Sequence, residues 1–182
     1  RAHDFLTSVS VIEGEVGPQG MYPYLTKRLE PIARRIFADP KVEPATHTFS
    51  HPFFWEPEKA SQREGFTAEY GMNMAIPNYP TMNLEREIVG SRDYIQRELL
   101  PAGKQVRLIF WSGEALPSAE AIGMAYAAGM ANVNGAETFI TRANPSLTGL
   151  YPLLRPTSGG LQIYAPIINE NLYTNLWTGP FY

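Results

Sequence analysis

The chain has 182 residues, of which 44% are hydrophobic and 18% charged, with a net charge of −3. That predicts one globular domain with a substantial core, and the mildly acidic balance without a basic stripe argues against nucleic acid as a partner. The absence of cysteine excludes thiolate metal sites and disulfides, and no apolar run has the length of a membrane span or reads as a signal peptide.

The chain starts at Arg1 and stops on Gly179-Pro180-Phe181-Tyr182 inside an aromatic stretch, so it reads as a piece of something longer. Residues 5–12, short, β-branched and largely apolar, predict a buried strand. It runs into Glu13-Gly14-Glu15 and a turn at Gly17-Pro18-Gln19-Gly20. Two carboxylates at a strand end serve either catalysis or simple solvation. Leu25, Leu29, Ile32, Ala33, Ile36 and Phe37 keep helical spacing up to Asp39-Pro40, with Pro31 in the first turn or at a kink. Residues 42–46 then predict a short strand.

Just past that strand stand His47 and His51, two of only three histidines in the chain. Pro52 disfavours an α conformation at His51, which places the pair in a turn with both imidazoles on one side. That is a chelating arrangement for a divalent cation. Neutral imidazoles suit zinc, with Zn–N bonds of about 2.0–2.1 Å. The Thr48 hydroxyl between them is a candidate for fixing ring orientation. HxxxH alone is a weak pattern, equally consistent with two turn histidines hydrogen-bonded to backbone.

Residues 52–81 carry Phe53, Phe54, Trp55, Phe66, Tyr70 and Tyr79 among Pro, Gly and Asn without sustained period. A loop insertion of this length walls a binding groove or holds its own aromatic cluster. Asn83 is placed to cap a helix with Leu84, Ile88, Ile95 and Leu99 on its apolar face, stopped by Pro101 and Gly103. Residues 106–111 form the clearest strand, ending in Ser112-Gly113-Glu114-Ala115-Leu116-Pro117. Ser118 caps a helix to about Ala128. A short strand at residues 130–133 leads into Asn134-Gly135-Ala136-Glu137-Thr138. After a loop over residues 143–160 comes a strand at residues 161–166, and the last polar stretch is Asn169-Glu170-Asn171.

Strands alternating with helices predict an α/β fold with a parallel sheet and right-handed crossovers. Chemistry in such folds collects at the C-terminal strand ends. Each polar cluster follows a strand: Glu13/Glu15, His47/His51, Ser112/Glu114, Asn134/Glu137 and Asn169/Glu170/Asn171. Together they predict one shared mouth.

Five segments in order, SVSVIEGEVGPQG, THTFSHPFFW, IFWSGEALPSAEAI, NVNGAET and NENLYTNLWTGPFY, resemble the PelA-type polysaccharide deacetylase domains of Pel exopolysaccharide biosynthesis, within the wider NodB-like carbohydrate esterase group. The resemblance spans nearly the whole chain. It implies a partial, distorted β/α barrel as a single truncated domain, with the H-S/T-x-x-H motif matched by His47-Thr48-Phe49-Ser50-His51 and both histidines as metal ligands. It implies metal-dependent de-N-acetylation of an N-acetylhexosamine polymer in the periplasm, with the exopolysaccharide secretion machinery as partner. Glu13, Glu15, Trp55, Trp111, Glu114, Asn134, Glu137 and Trp177 are then candidate substrate-binding residues, and Tyr173 a further ring for sugar faces.

The chain also departs from the family pattern. The family's aspartate-rich strand end, holding the catalytic base and third metal ligand, is expected before residue 5, and its late histidine after Tyr182. Two histidines leave zinc short of the three protein ligands of a catalytic site, so the isolated piece is expected to be inactive unless Glu13 or Glu15 completes the set. A missing barrel strand would expose an edge and invite dimerisation by strand pairing. Two other functions remain in view. One is a non-catalytic carbohydrate-binding or scaffold module using the same groove. The other is a glycosidase using two carboxylates among Glu13, Glu15, Glu114, Glu137 and Glu170, which needs them roughly 5–9.5 Å apart.

Overall fold

The computed structural model describes residues 5–56, 76–136 and 152–166. They form a six-stranded sheet: β1 (Thr7–Val11), β2 (Val42–Thr46), β3 (Leu108–Phe110), β4 (Ala131–Ala136), β5 (Leu153–Thr157) and β6 (Gly160–Pro166), in the order β1-β2-β3-β4-β6-β5. The first five in that order are parallel, with Val9 opposite Pro44, Thr46 opposite Ile109, Phe110 opposite Val133 and Val133 opposite Ile163. Pro44 lacks an N–H to donate, and its position is compatible with that because β2 pairs with β3 only from Ala45 onward.

A one-turn helix α1 (Glu13–Val16) follows β1 directly, and α2 (Thr26–Phe37) leads into β2. Pro31 lies inside α2, and Arg34 and Arg35 in the last turn complement the helix dipole. A long helix α3, residues 84–99, widens to π-type hydrogen bonding over Arg86–Gly90 and Ile95–Leu99, on either side of an α-helical turn at Ser91–Tyr94. Its start is capped by Asn83, whose Oδ1 accepts from the Arg86 N–H at 2.8 Å. Ser118 likewise caps α4 (Ala119–Ala127), accepting from the Ala121 N–H at 3.1 Å. Both caps are where the sequence places them.

Helix α3 touches α2 through one π-segment and α4 through the other, so the three helices line one face of the sheet. Between the layers lie Phe37, Ile88, Ile95, Leu99, Ile109, Ile122 and Met130. Burying each such side chain is worth about 1.5–3 kcal/mol, which is what ties helix to sheet. None of the described helices is long and apolar enough to cross a membrane.

Three details depart from the expected pattern. Strand β3 is only three residues long, and β4 runs on to Ala136, so Asn134 lies within a strand rather than after one. The expected loop at 143–160 contains β5, which pairs antiparallel with β6 across a two-residue turn joining Thr157 to Gly160. Pro156 hides β5 from a propensity reading, yet an edge strand accepts proline. The expected wholly parallel sheet therefore ends in a hairpin. Within the insertion at about 52–81, residues 57–75 lie outside the described residues.

Candidate metal centre

The parallel strands bring β1, β2 and β3 to a common C-terminal edge, and the loop after β2 lies between the other two. The His47 N–H donates to the Val11 carbonyl at 2.8 Å, extending the β1–β2 ladder by one step. The chain then bends sharply, with Thr48 at φ +72° and His51 at φ +53°. The left-handed region costs a non-glycine residue roughly 1–2 kcal/mol, so the surroundings must hold it. They do so densely. The Glu13 and Gly14 N–H groups donate to the Thr48 and Phe49 carbonyls at 3.0 and 2.8 Å, and the His51 N–H donates to Thr48 Oγ1 at 3.2 Å. The Thr48 N–H donates to Thr46 Oγ1 at 3.1 Å, and that hydroxyl meets Ser91 Oγ at 2.8 Å.

The result is the predicted convergence of the two imidazoles. Their ring centroids are 4.8 Å apart with planes at 74°. Two rings bound to one tetrahedral ion have centroids roughly 5 Å apart. The Nδ1–H of His47 donates to the Phe110 carbonyl at 2.8 Å, which fixes the tautomer and leaves Nε2 with a free lone pair, the usual arrangement behind a metal-binding imidazole. Burial holds both histidines below the ordinary imidazole pKa, more than offsetting hydrogen bonds to backbone that act the other way. Both rings are therefore neutral at neutral pH, as metal binding requires. The Thr48 hydroxyl does not orient either ring; it accepts from the His51 backbone, and the Phe110 carbonyl does the orienting.

The two carboxylates after β1 have separate environments. Glu13 is buried and both its oxygens are held by Arg86, at 2.7 and 2.5 Å. Burial pushes the Glu13 carboxyl above its ordinary pKa, against the pull of the guanidinium. Burial likewise disfavours the Arg86 charge, but the contact with Glu13 outweighs it and raises its pKa. The guanidinium also stacks 3.6 Å from the centre of the Phe49 ring, which packs edge-on against Tyr79. Glu15 is exposed, and its negative charge acts on His47. Among the described residues no third His, Cys, Asp or Glu joins the histidines in a formed metal cage. The two imidazoles thus fit a divalent cation as a half-site, with the negative charge of Glu15 acting on His47.

Sequence reasoning missed Glu87. Its carboxylate is 0% exposed and accepts from the Phe49 and Ser50 N–H groups, at 2.9 and 2.8 Å, and from the Ser50 hydroxyl at 2.5 Å. The available signal was an acidic residue three positions after Leu84 and one before Ile88, on the stripe assigned to the core. Arg86 next to it was missed as well.

The remaining candidates are distributed differently. Trp55 and Trp111 are buried core residues, packed edge to face with centroids 4.7 Å apart, and offer no face to a sugar. Their indole N–H groups donate to the Ser112 carbonyl and to Asn132 Oδ1 at 3.0 and 3.1 Å, which is why two indoles are tolerated inside. Ser112 is buried too, donating to the Pro52 carbonyl at 2.6 Å. Glu114 and Asn134 are half-buried; Asn134 Nδ2 donates to the Trp111 carbonyl at 2.7 Å. Glu114 Oε1 and Asn134 Oδ1 are buried acceptors with no partner among the described residues, a state normally relieved by water or a ligand donor. Glu137, Glu170, Tyr173 and Trp177 lie outside the described residues.

Compared with known protein families, curated proteins and solved structures, the chain matches none of them.

Proposed function

We propose that the chain carries the metal half of a polysaccharide N-deacetylase site, a hydrolase of N-acetylhexosamine polymers. The observation that supports it most is the His47–His51 pair, with rings 4.8 Å apart and the His47 tautomer fixed by Phe110. The sequential, parallel order of β1 to β4 is compatible with the strand order of a β/α barrel, the fold of that esterase group. The resemblance puts the family's two carboxylates ahead of residue 5, whereas Glu13 and Glu15 stand at the end of the strand beside the histidine strand, and we take them as the chain's own counterparts. Since Arg86 occupies both Glu13 oxygens, Glu15 is the one free to join His47 and His51 as third ligand.

The bound cation would polarise the N-acetyl carbonyl and lower the pKa of a coordinated water to about 7. The chain's own residues do the rest. His47 Nε2 and the His51 ring offer neutral donors. Glu13 is held in place by Arg86, and each of its oxygens keeps a second lone pair with which it would serve as general base. It would take the proton of the attacking water and return it to the departing amine, releasing acetate and the free amino sugar.

Zinc titration of Glu13→Gln and Glu15→Gln separates these roles. Glu15→Gln should weaken zinc binding at least about 10-fold, by loss of one of three ligands. Glu13→Gln should leave zinc affinity within about 2-fold while lowering kcat for acetate release by roughly 10²–10⁴-fold in the active protein. Unchanged affinity in both variants would remove the carboxylates from the metal site.

A further inference from the structure

The histidine loop is built around an anion. Phe49 and Ser50 offer two successive backbone N–H groups to one oxygen of Glu87, and the Ser50 hydroxyl takes the other. Left-handed residues flank this pair, Thr48 before and His51 after. Successive N–H groups converging between such residues form an anion-binding nest, and here the anion is a side chain of the protein itself. Glu87 arrives from the first π-segment of α3, Arg86–Gly90, where the helix widens as it passes the loop. π-bulges of this kind are frequent at functional sites. The neighbouring Arg86 fixes the other side of the same loop through Glu13 and Phe49.

We infer that Glu87 is a positioning residue: its buried carboxylate fills the nest and thereby sets the His47–His51 separation that a cation requires. The inference rests on the metal reading of that pair. Without the carboxylate, the Phe49 and Ser50 N–H groups would be buried without an acceptor, and the loop would reorganise to reach one. The two left-handed residues would relax with it, and the imidazoles would part. An apolar residue at position 87 would satisfy the core equally well, so packing alone does not explain a charged side chain here.

The test measures zinc affinity by calorimetry in the wild-type chain, Glu87→Ala, Glu87→Gln and Ser50→Ala, with cobalt absorption as a report on coordination geometry. Wild-type binding at one ion per chain supports the metal reading; its absence would sink that reading and this one together. Given wild-type binding, Glu87→Ala should weaken affinity about 10–100-fold, the range for residues that orient metal ligands, and alter the cobalt spectrum. Glu87→Gln keeps one oxygen for both N–H groups and should recover most of the affinity. Ser50→Ala removes one of three donors and should have the smallest effect. If Glu87→Ala does not fold, Glu87→Asp takes its place: drawing the carboxylate back from the nest by one methylene should weaken affinity several-fold and alter the cobalt spectrum. An unaltered cobalt spectrum and wild-type affinity in every folded variant would overturn the positioning role while leaving the metal site intact.

Discussion

The loops after β2 and β3 leave neighbouring parallel strands at the same edge of the sheet, and both bend through left-handed residues. Thr48 and His51 do so in the first, Gly113 and Ala115 in the second. Their side chains end in opposite places. In the β2 loop the backbone absorbs the available partners, through Glu87, Glu13 and Gly14, and the two imidazoles keep open nitrogen positions. In the β3 loop side chains absorb most of them, Glu114 Oε1 excepted. Trp111 donates to Asn132, Ser112 to Pro52, and the Ala115 carbonyl accepts from Gln162 and Tyr164 at 2.7 and 3.0 Å. Position at a strand end therefore does not make a residue functional. What decides is whether its polar atoms are already committed.

The largest effect that would break this contrast is on stability. Trp111→Ala should destabilise the fold by about 3–5 kcal/mol, as a large core deletion does, and leave zinc affinity of the folded protein within a few-fold of wild type. Denaturant unfolding and zinc titration of the same variant check both halves. A stable variant with lost zinc binding would move Trp111 into the site.

A smaller effect should follow from acid. His47 and His51 titrate below their ordinary value of 6.5 in the folded state, so the unfolded chain binds more protons as pH falls through that value. The stability from keeping them neutral is complete above pH 6.5 and is lost as pH drops toward their folded values. Unfolding free energies across that range should fall in the wild type and fall less in His47→Gln. An identical pH slope in the two proteins would contradict the buried, neutral state of His47.

How much of this was legible in the sequence follows from which interactions are local. The bounds of β2, the caps Asn83 and Ser118, and the turn carrying His47 and His51 depend on proline, capping side chains and nearby spacing, all visible in a short window. The placement of Glu13 and Glu15 at the end of the strand next to the histidine strand followed from strand alternation. Strand β5 was missed because Leu153-Leu154-Arg155-Pro156-Thr157 owes its conformation to the hairpin partner β6 rather than to propensity. Glu87 was missed because its N–H donors lie 37 and 38 positions away, and a carboxylate on an apolar stripe declares itself only when its partners are known. Trp55 and Trp111 read as sugar platforms because aromatic content near polar clusters cannot distinguish a wall from a core. Their N–H partners settled it.

The proposed metal site requires that His47 and His51 hold one cation between them. Zinc titration of the wild-type chain beside His47→Gln and His51→Gln tests it most directly. One ion bound per wild-type chain, with affinity reduced at least about 10-fold by either substitution, is the result expected. No binding to the wild type, or equal binding to all three proteins, would contradict it.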